Sequence, residues 1–443
     1  MLRALWFMIK IAVIVGVVVW LMDRPGQVSM QWAEYTLQMK TGYALVAGLV
    51  ALFILATLYR LYIFISQLGT RWSYRNQLKS MRRAMQSLTR GFSAMAAGDA
   101  KSASYQIDKV KHYWPQAQGL VNLLSAQVAK LEDEPDRARY YYEAMLKDPD
   151  AAVMGMRGLI AQAVEEGDRR AALEYAKNAR KLYPHSPWVI QSVFQLEVQN
   201  GAWADALDSL RIAERRRFIL RSQAEHDKVA IYIALADQAE AQGRVGAMLN
   251  HLRAALKIDP SFEPAVSRLV NYNISQKRRR ESVAVIERAW KVRTHPHYTA
   301  LWAQLAPKNK PYKAARRLEW FKTLIHLNPN DVEGYLAAAT VAGEEKLYLE
   351  AREFLLKAET IEPSARLYRL WAAIEASQDH LGEEAHYLQM AEKSAPSKVW
   401  YCAETGRIYD KWYVIAEPHG SFNSIHWDIP ETGQNNQIAQ DII

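Results

Sequence analysis

The order of apolar and polar positions divides the chain into parts with different periodicities. Ala4–Met22 is apolar for nineteen residues apart from Lys10, and Thr41–Tyr59 runs nineteen residues without a charge, with apolar character resuming after Arg60 as far as Ile65. At 1.5 Å per helical residue, each stretch is long enough to cross the ~30 Å hydrocarbon layer. The pattern therefore predicts two transmembrane helices joined by a short loop, Asp23–Lys40. A cleaved signal peptide is the other reading of the first stretch, but Met22, Asp23, Arg24 and Pro25 lack the small residues of a cleavage site. From Ser66 to Gly98 the chain carries Arg71, Arg75, Lys79, Arg82, Arg83 and Arg90 and no acid. The bias of Lys and Arg toward the cytoplasmic face places both termini in the cytoplasm, with Tyr59 and Tyr62 as interfacial anchors.

Beyond residue 84 the pattern becomes a repeat. Prolines fall at Pro115, Pro149, Pro184, Pro260, Pro296, Pro329, Pro363 and Pro396, at separations of 34, 35, 76, 36, 33, 34 and 33. A proline cannot continue a helix interior, so this spacing punctuates helical pairs. Glycines mark the turn within the pairs at Gly98, Gly167, Gly201 and Gly243, and small residues recur at Ala103, Ala172, Ala284, Ala351 and Ala385 where helices are expected to cross. The phrases GDAKSASYQIDKVKHYWP, GDRRAALEYAKNARKLYP and GRVGAMLNHLRAALKIDP carry the unit. It resembles the tetratricopeptide repeat, a helix–turn–helix of 34 residues. The resemblance implies eight or nine units to Pro396, the fourth without its closing proline near Phe218 and with degenerate loops at Lys277–Arg280 and Lys308–Pro311. Each pair leaves an apolar face for its neighbour, which predicts a superhelix that binds proteins in its groove. Tyr140–Tyr142, Trp188, Trp203, Trp290, Trp302, Trp320 and Trp371 are expected to pack within it.

Charge and chemistry narrow the function. The net charge is +9, much of it just after the second apolar stretch. There it would attract anionic lipid heads, which accounts for the excess without a nucleic-acid partner; Arg71, Arg75, Lys79, Arg82 and Arg83 are the expected membrane-surface residues. The one cysteine, Cys402, leaves no intrachain disulfide. The chain has no phosphate loop, dinucleotide fingerprint, His-Glu-x-x-His or Gly-x-Ser-x-Gly, so neither enzyme activity nor a required cofactor is expected. His295 and His297 form His-Pro-His at a closing turn, and two imidazoles together are the best candidates for a transient contact with haem or porphyrin.

The tail after Val399 is dense in aromatics, with Trp400, Trp412, Phe422 and Trp427. It resembles a two-knuckle rubredoxin-like or zinc-ribbon module that has lost most ligands. The knuckles read Cys402-Ala403-Glu404-Thr405-Gly406 and Ala416-Glu417-Pro418-His419-Gly420, so only Cys402 and His419 could bind where a closed zinc site needs four ligands. A metal-free aromatic clasp over the last helical pair is expected. The predicted fold is all-α: a two-span anchor (1–65), a basic juxtamembrane helix (66–83), a tetratricopeptide-like solenoid (84–397) and a short irregular cap and tail (398–443).

Asp23-Arg24-Pro25-Gly26, LYRLYIFISQL, RGFSAMAAGDAKSA and the WYCAETGRI…PHGSFNSIHWDIP end together resemble the HemY family of proteobacteria. That resemblance implies a non-enzymatic inner-membrane protein of protohaem biosynthesis that scaffolds late pathway enzymes or handles their insoluble product. It is distinct from the flavin-dependent oxidase of the same name, for which this chain has no dinucleotide site. The anchor, repeats and tail are also similar to lipopolysaccharide-assembly proteins, which implies the alternative of a membrane-tethered adaptor for a protease or for envelope assembly.

Overall fold

The computed structural model describes residues 27–32, 35–307 and 315–430, with isolated positions between 8 and 20. The chain forms two compact units, Met1–Gly155 and Met156–Ile443.

The first unit opens with an antiparallel hairpin, β1 (Gln27–Trp32) and β2 (Tyr35–Lys40), with Gln27 opposite Lys40 and Trp32 opposite Tyr35. One helix of 56 residues follows, Thr41–Ala96. No proline interrupts the sequence between Pro25 and Pro115, so nothing stops the helix at the end of its apolar part. The expected separate helix over 66–83 is therefore the middle of a longer one.

Within this helix Val46–Phe64 is long and apolar enough to cross a membrane and is entirely unburied. It is the single such segment among the described residues. This corrects the expectation of two spans and the multi-pass inner-membrane topology drawn from it. Most of Ala4–Met22 lies outside the described residues, and the connecting segment contains the β1–β2 hairpin.

From Ala84 onward the long helix packs against Ala100–Tyr113. Leu88 and Met95 cover a core of Ile107, Val110, Leu124 and Val128, and the Ser80 hydroxyl donates to the Tyr113 carbonyl at 2.6 Å. Helices Gln118–Leu131 and Pro135–Met145 continue the array.

What repeats most faithfully is a turn. Gly98, Gly167, Gly201 and Gly243 have φ between 67° and 77°, and Asp133, Lys277, Lys346 and Asp379 take the same left-handed conformation at φ 57–59°. From Gly98 the first steps are 35, 34 and 34 residues. At each turn the next N–H reaches back to the helix, as in Asp99 to Ala94 (2.9 Å), Arg244 to Ala239 (2.8 Å) and Arg278 to Asn273 (2.8 Å). This closes orphan carbonyls at the helix end. The loop at Lys277–Arg280 is thus the same turn built without glycine. Lys308–Pro311 lies outside the described residues.

Pro115, Pro149, Pro184, Pro260, Pro329, Pro363 and Pro396 lie in the linkers after helices, whereas Pro296 is the first residue of Pro296–Gln304. Ala103, Ala172 and Ala351 are fully buried at crossings, as expected. Ala284 and Ala385 are exposed instead. In the Arg279–Val292 helix Ser282 and Ala289 are the buried small residues, and Leu381–Lys393 buries only Ala391.

The aromatics mostly fill the array. Trp290 and Trp302 are fully buried, and Trp302 stacks on Trp320 at 4.3 Å while each indole N–H donates to the other's carbonyl. Tyr142 is buried, but Tyr140 is exposed.

The C-terminal region is ordered β-structure through Pro430, which corrects the expected irregular tail. Strands β3 (Val399–Cys402), β4 (Ile408–Tyr409), β5 (Ile415–Ala416), β6 (Ser421–Phe422) and β7 (Ile425–Asp428) form a three-stranded sheet in the order β4-β3-β7 and a β5–β6 hairpin.

Gly155 sits where a Cβ would lie 2.7 Å from the Tyr142 carbonyl oxygen and 2.9 Å from Met145 Cβ, whereas a Cβ on Gly246 would meet nothing. Gly155→Ala is expected to destabilise the first unit by about 1–3 kcal/mol. Gly246→Ala should be neutral or stabilise by up to ~1 kcal/mol. Urea unfolding of the two variants beside wild type checks the contrast.

Candidate functional site

In the second unit the first helices of consecutive pairs include Pro187–Gln199, Arg221–Ala241, Glu263–Ser275 and Pro296–Gln304. The cap docks on this face. Trp400, Cys402, Trp412, Ala416 and Ile425 are buried in one cluster with Val229, Ile233, Ala265 and Leu269. Trp412 meets Phe262 edge-on at 5.1 Å, and Phe422 packs on Phe194 (5.8 Å) and Trp203 (6.4 Å). Asn423 donates to Asp227 Oδ1 at 3.0 Å and lies 2.8 Å from His226 Nδ1, while the His226 and His426 rings stack at 5.7 Å.

The cap is therefore not a clasp over the last helical pair. The core of that pair, built on Leu367, Trp371 and Ala391, contains no cap residue. The reason lies in the array. Arg221–Ala241 has 21 residues where its neighbours have thirteen or fourteen, and its added N-terminal turns carry Gln223, His226 and Asp227. The missing proline near Phe218 was the only sequence sign of this. Phe194, His226, Asp227 and Phe262, which receive the cap, were not singled out from sequence.

The two knuckles keep their shape. Gly406 (φ 70°) donates to the Cys402 carbonyl at 2.8 Å, and Gly420 (φ 74°) to that of Ala416 at 2.9 Å. Cys402 and Ala416 are both fully buried. Cys402 Sγ lies 3.3 Å from Ser424 Oγ, and Ala416 offers only a methyl group at the matching position. His419 instead lines a surface cleft. No cluster of three or more metal-binding side chains exists among the described residues.

His295 and His297 do not face a common site. His295 is the N-cap of Pro296–Gln304, its Nδ1 accepting from the His297 N–H at 3.1 Å. Its ring is 8% exposed and enclosed by Trp427 at 4.4 Å, Trp400 and Tyr298. Burial holds this imidazole at about 4, against the partial pull of Glu263. His297 turns away and pairs with Glu263 at 2.5 Å; that bond raises the imidazole above its usual value. Burial pushes the Glu263 carboxyl up, but His297 and His295 outweigh it and leave it below the usual range.

A cleft of about 610 Å³ opens beside the cap, between Pro187–Gln199, the start of Arg221–Ala241 and the second knuckle. On the long helix of the first unit, Lys79, Arg82 and Arg83 are exposed, while the side chains of Arg71 and Arg75 lie outside the described set. Lys79 is fifteen residues beyond Phe64, or ~22 Å along the axis. If the helix follows the membrane normal, Lys79, Arg82 and Arg83 stand beyond the ~8 Å Debye length of the headgroup potential, and Arg71 is the residue nearest it.

Residues 26–133 match the family model for the HemY protein N-terminus. Over 201 residues the chain is 25% identical to a probable magnetosome protein, Mms48, of Magnetospirillum gryphiswaldense, covering 44% of each. The chain thus spans less than half the length of that curated relative. Among solved structures, it is similar to yeast Tom70 (12% identity, 70% of this chain and 85% of that one, TM-score 0.29). A tetratricopeptide repeat protein from Parabacteroides merdae is also similar (19%, 57% and 93%, TM-score 0.25). A third is PilF of Pseudomonas aeruginosa (20%, 49% and 93%, TM-score 0.25).

The buried His295 makes cap docking acid-sensitive. It stays neutral in the folded chain down to about 4, whereas the unfolded chain takes up the proton below 6.5. Stability is lost as pH falls through that window, by about 3 kcal/mol at ~1.4 kcal/mol per pH unit. His426, lowered by burial and by His226, acts in the same direction. The raised His297 opposes them, contributing stability below 6.5 that is lost as pH rises through its folded value. The lowered Glu263 contributes above 4.5 and loses that share as pH falls through its own. Tryptophan emission of the full chain should therefore report cap release between pH 6.5 and 4, and His295→Asn should flatten the dependence. Constant emission across that range in wild type would contradict it.

Proposed function

Because its N-terminal region is of the HemY type, we propose that the protein is a non-enzymatic scaffold of haem biosynthesis, held at a membrane by Val46–Phe64 and gathering late pathway enzymes on its helical array. The observation that carries this reading is the continuity of the Thr41–Ala96 helix. The same helix that holds the apolar stretch also forms the core with Ala100–Tyr113, so the anchor and the first repeat are mechanically one element. Partners bound to such an array would be kept close to a membrane, where a poorly soluble porphyrin could pass between enzymes without crossing bulk water. Of the bases after Phe64 on that helix, Arg71 is the one whose natural counterpart is an anionic headgroup, Lys79, Arg82 and Arg83 standing too far along it.

With the cap docked, His295 has no open face. His297 is held by Glu263 through Nδ1 alone and is half exposed, so it is the one of the two whose ring a porphyrin would meet. The retained knuckle turns favour a second reading, an adaptor for a protease or for envelope assembly, since that tail shape drew the likeness to lipopolysaccharide-assembly proteins.

Deletion followed by porphyrin profiling, with copurification of the full chain in mild detergent, separates the two. The scaffold reading expects accumulated porphyrin precursors and recovery of late haem enzymes. Unchanged porphyrins with altered lipopolysaccharide or a bound protease would replace it with the adaptor.

A further inference from the structure

The docked cap packs on the first helices Arg221–Ala241 and Glu263–Ser275 and on His295 at the start of the next, on a face where a repeat array would ordinarily receive a peptide. What remains open is the cleft at the cap's edge. One wall is the exposed stripe Gln191, Gln195 and Gln199 of the Pro187–Gln199 helix. These three amides have no hydrogen-bond partner among the described residues. They stand four residues apart, ~6 Å along the helix axis, close to the ~6.6 Å two-residue repeat of an extended chain. A strand laid along this helix could therefore pair a backbone group with each amide in turn. Apolar surface comes from Phe194, Phe218 and Phe422.

The charge of the cleft is one-sided. Among the described residues, Asp227 and Glu404 line it and no Lys or Arg does. Asp227 is buried, and its carboxylate is held only by neutral donors, Gln223 Nε2 at 3.1 Å to each oxygen and Asn423 Nδ2 at 3.0 Å. Glu404 accepts from the Ser421 hydroxyl. A buried carboxylate with amide partners alone keeps its negative potential, which a cation entering the cleft would offset.

We propose that this cleft binds an extended peptide segment of a partner protein in which an apolar side chain neighbours a lysine or arginine. The peptide backbone runs along Gln191, Gln195 and Gln199, its apolar side chain meets Phe194, Phe218 and Phe422, and its cation faces Asp227 and Glu404. This deepens the scaffold reading and rests on it, by naming what a bound partner presents.

The probe is an arrayed set of degenerate nonapeptides with Leu or Phe fixed at one position and Lys, Arg, norleucine or Glu fixed at another, incubated with the full chain in detergent. Sets with a fixed base should be retained over those with norleucine, and those over Glu. Combined Gln191→Ala, Gln195→Ala and Gln199→Ala should lower retention of all sets by at least about tenfold, from three lost hydrogen bonds. Glu404→Gln should narrow the preference for a base, with unchanged tryptophan emission certifying that the cap is still docked. Equal retention of the Glu sets, or wild-type binding by the triple variant, would overturn the proposal. Haem enzymes that still copurify with the triple variant would also exclude this cleft while leaving the scaffold reading intact. That reading fails separately, on unchanged porphyrins after deletion.

Discussion

A helical pair cannot cover its own apolar face, and between Phe194 and His295 the second unit depends on the C-terminal cap to help do so. Trp400, Trp412, Cys402, Ala416 and Ile425 are buried there against Val229, Ile233 and Leu269. Two tryptophans and three smaller apolar residues removed from water contribute on the order of 5 kcal/mol or more, enough to hold a short β-module in place. The polar edge is also matched: Asn423 satisfies Asp227 and His226, and the stacked His226–His426 pair closes the seam. The cap is thus part of the array's core rather than an appendage, which is why a module with so little secondary structure keeps one shape.

The same packing decides what the array offers to other molecules. Residues of the first-helix face that would otherwise be open are enclosed, among them His295, and the cleft at the cap's edge stays open. The first helices Val332–Glu344 and Ala365–Ala376 belong to a core without cap residues. In the first unit, the Thr41–Ala96 helix joins an apolar stretch to the first repeat without a break.

Much of the array was legible because its punctuation is local. Proline spacing, Gly98, Gly167 and Gly243, and the buried Ala103, Ala172 and Ala351 all follow from backbone sterics within a single pair. Turns at Asp133, Lys277, Lys346 and Asp379 were hidden because these residues adopt the same left-handed conformation without being glycine. The hairpin at 27–40 has a legible alternation, Val28, Met30 and Trp32 and then Tyr35, Leu37 and Met39 between polar residues, but each run is only six residues long beside apolar stretches of nineteen. For the tail, aromatic density marked a module and its two knuckles. Its docking place was not legible, since it depends on residues nearly 200 positions away: Asn423 bonds Asp227, and nothing in either segment alone names the other. The missing closing proline near Phe218 was the available sign, a departure from the 34-residue period where the lengthened Arg221–Ala241 helix adds the turns the cap needs.

The cap completes the core of the middle repeats, and amide hydrogen exchange of the full chain beside a chain ending at Pro396 checks this. Exchange should be faster in Arg221–Ala241, Glu263–Ser275 and Pro296–Gln304 when the cap is absent, with Val332–Glu344 and Ala365–Ala376 unchanged as internal controls. Unchanged protection in the three middle helices, or deprotection confined to Ala365–Ala376 and Leu381–Lys393, would contradict it.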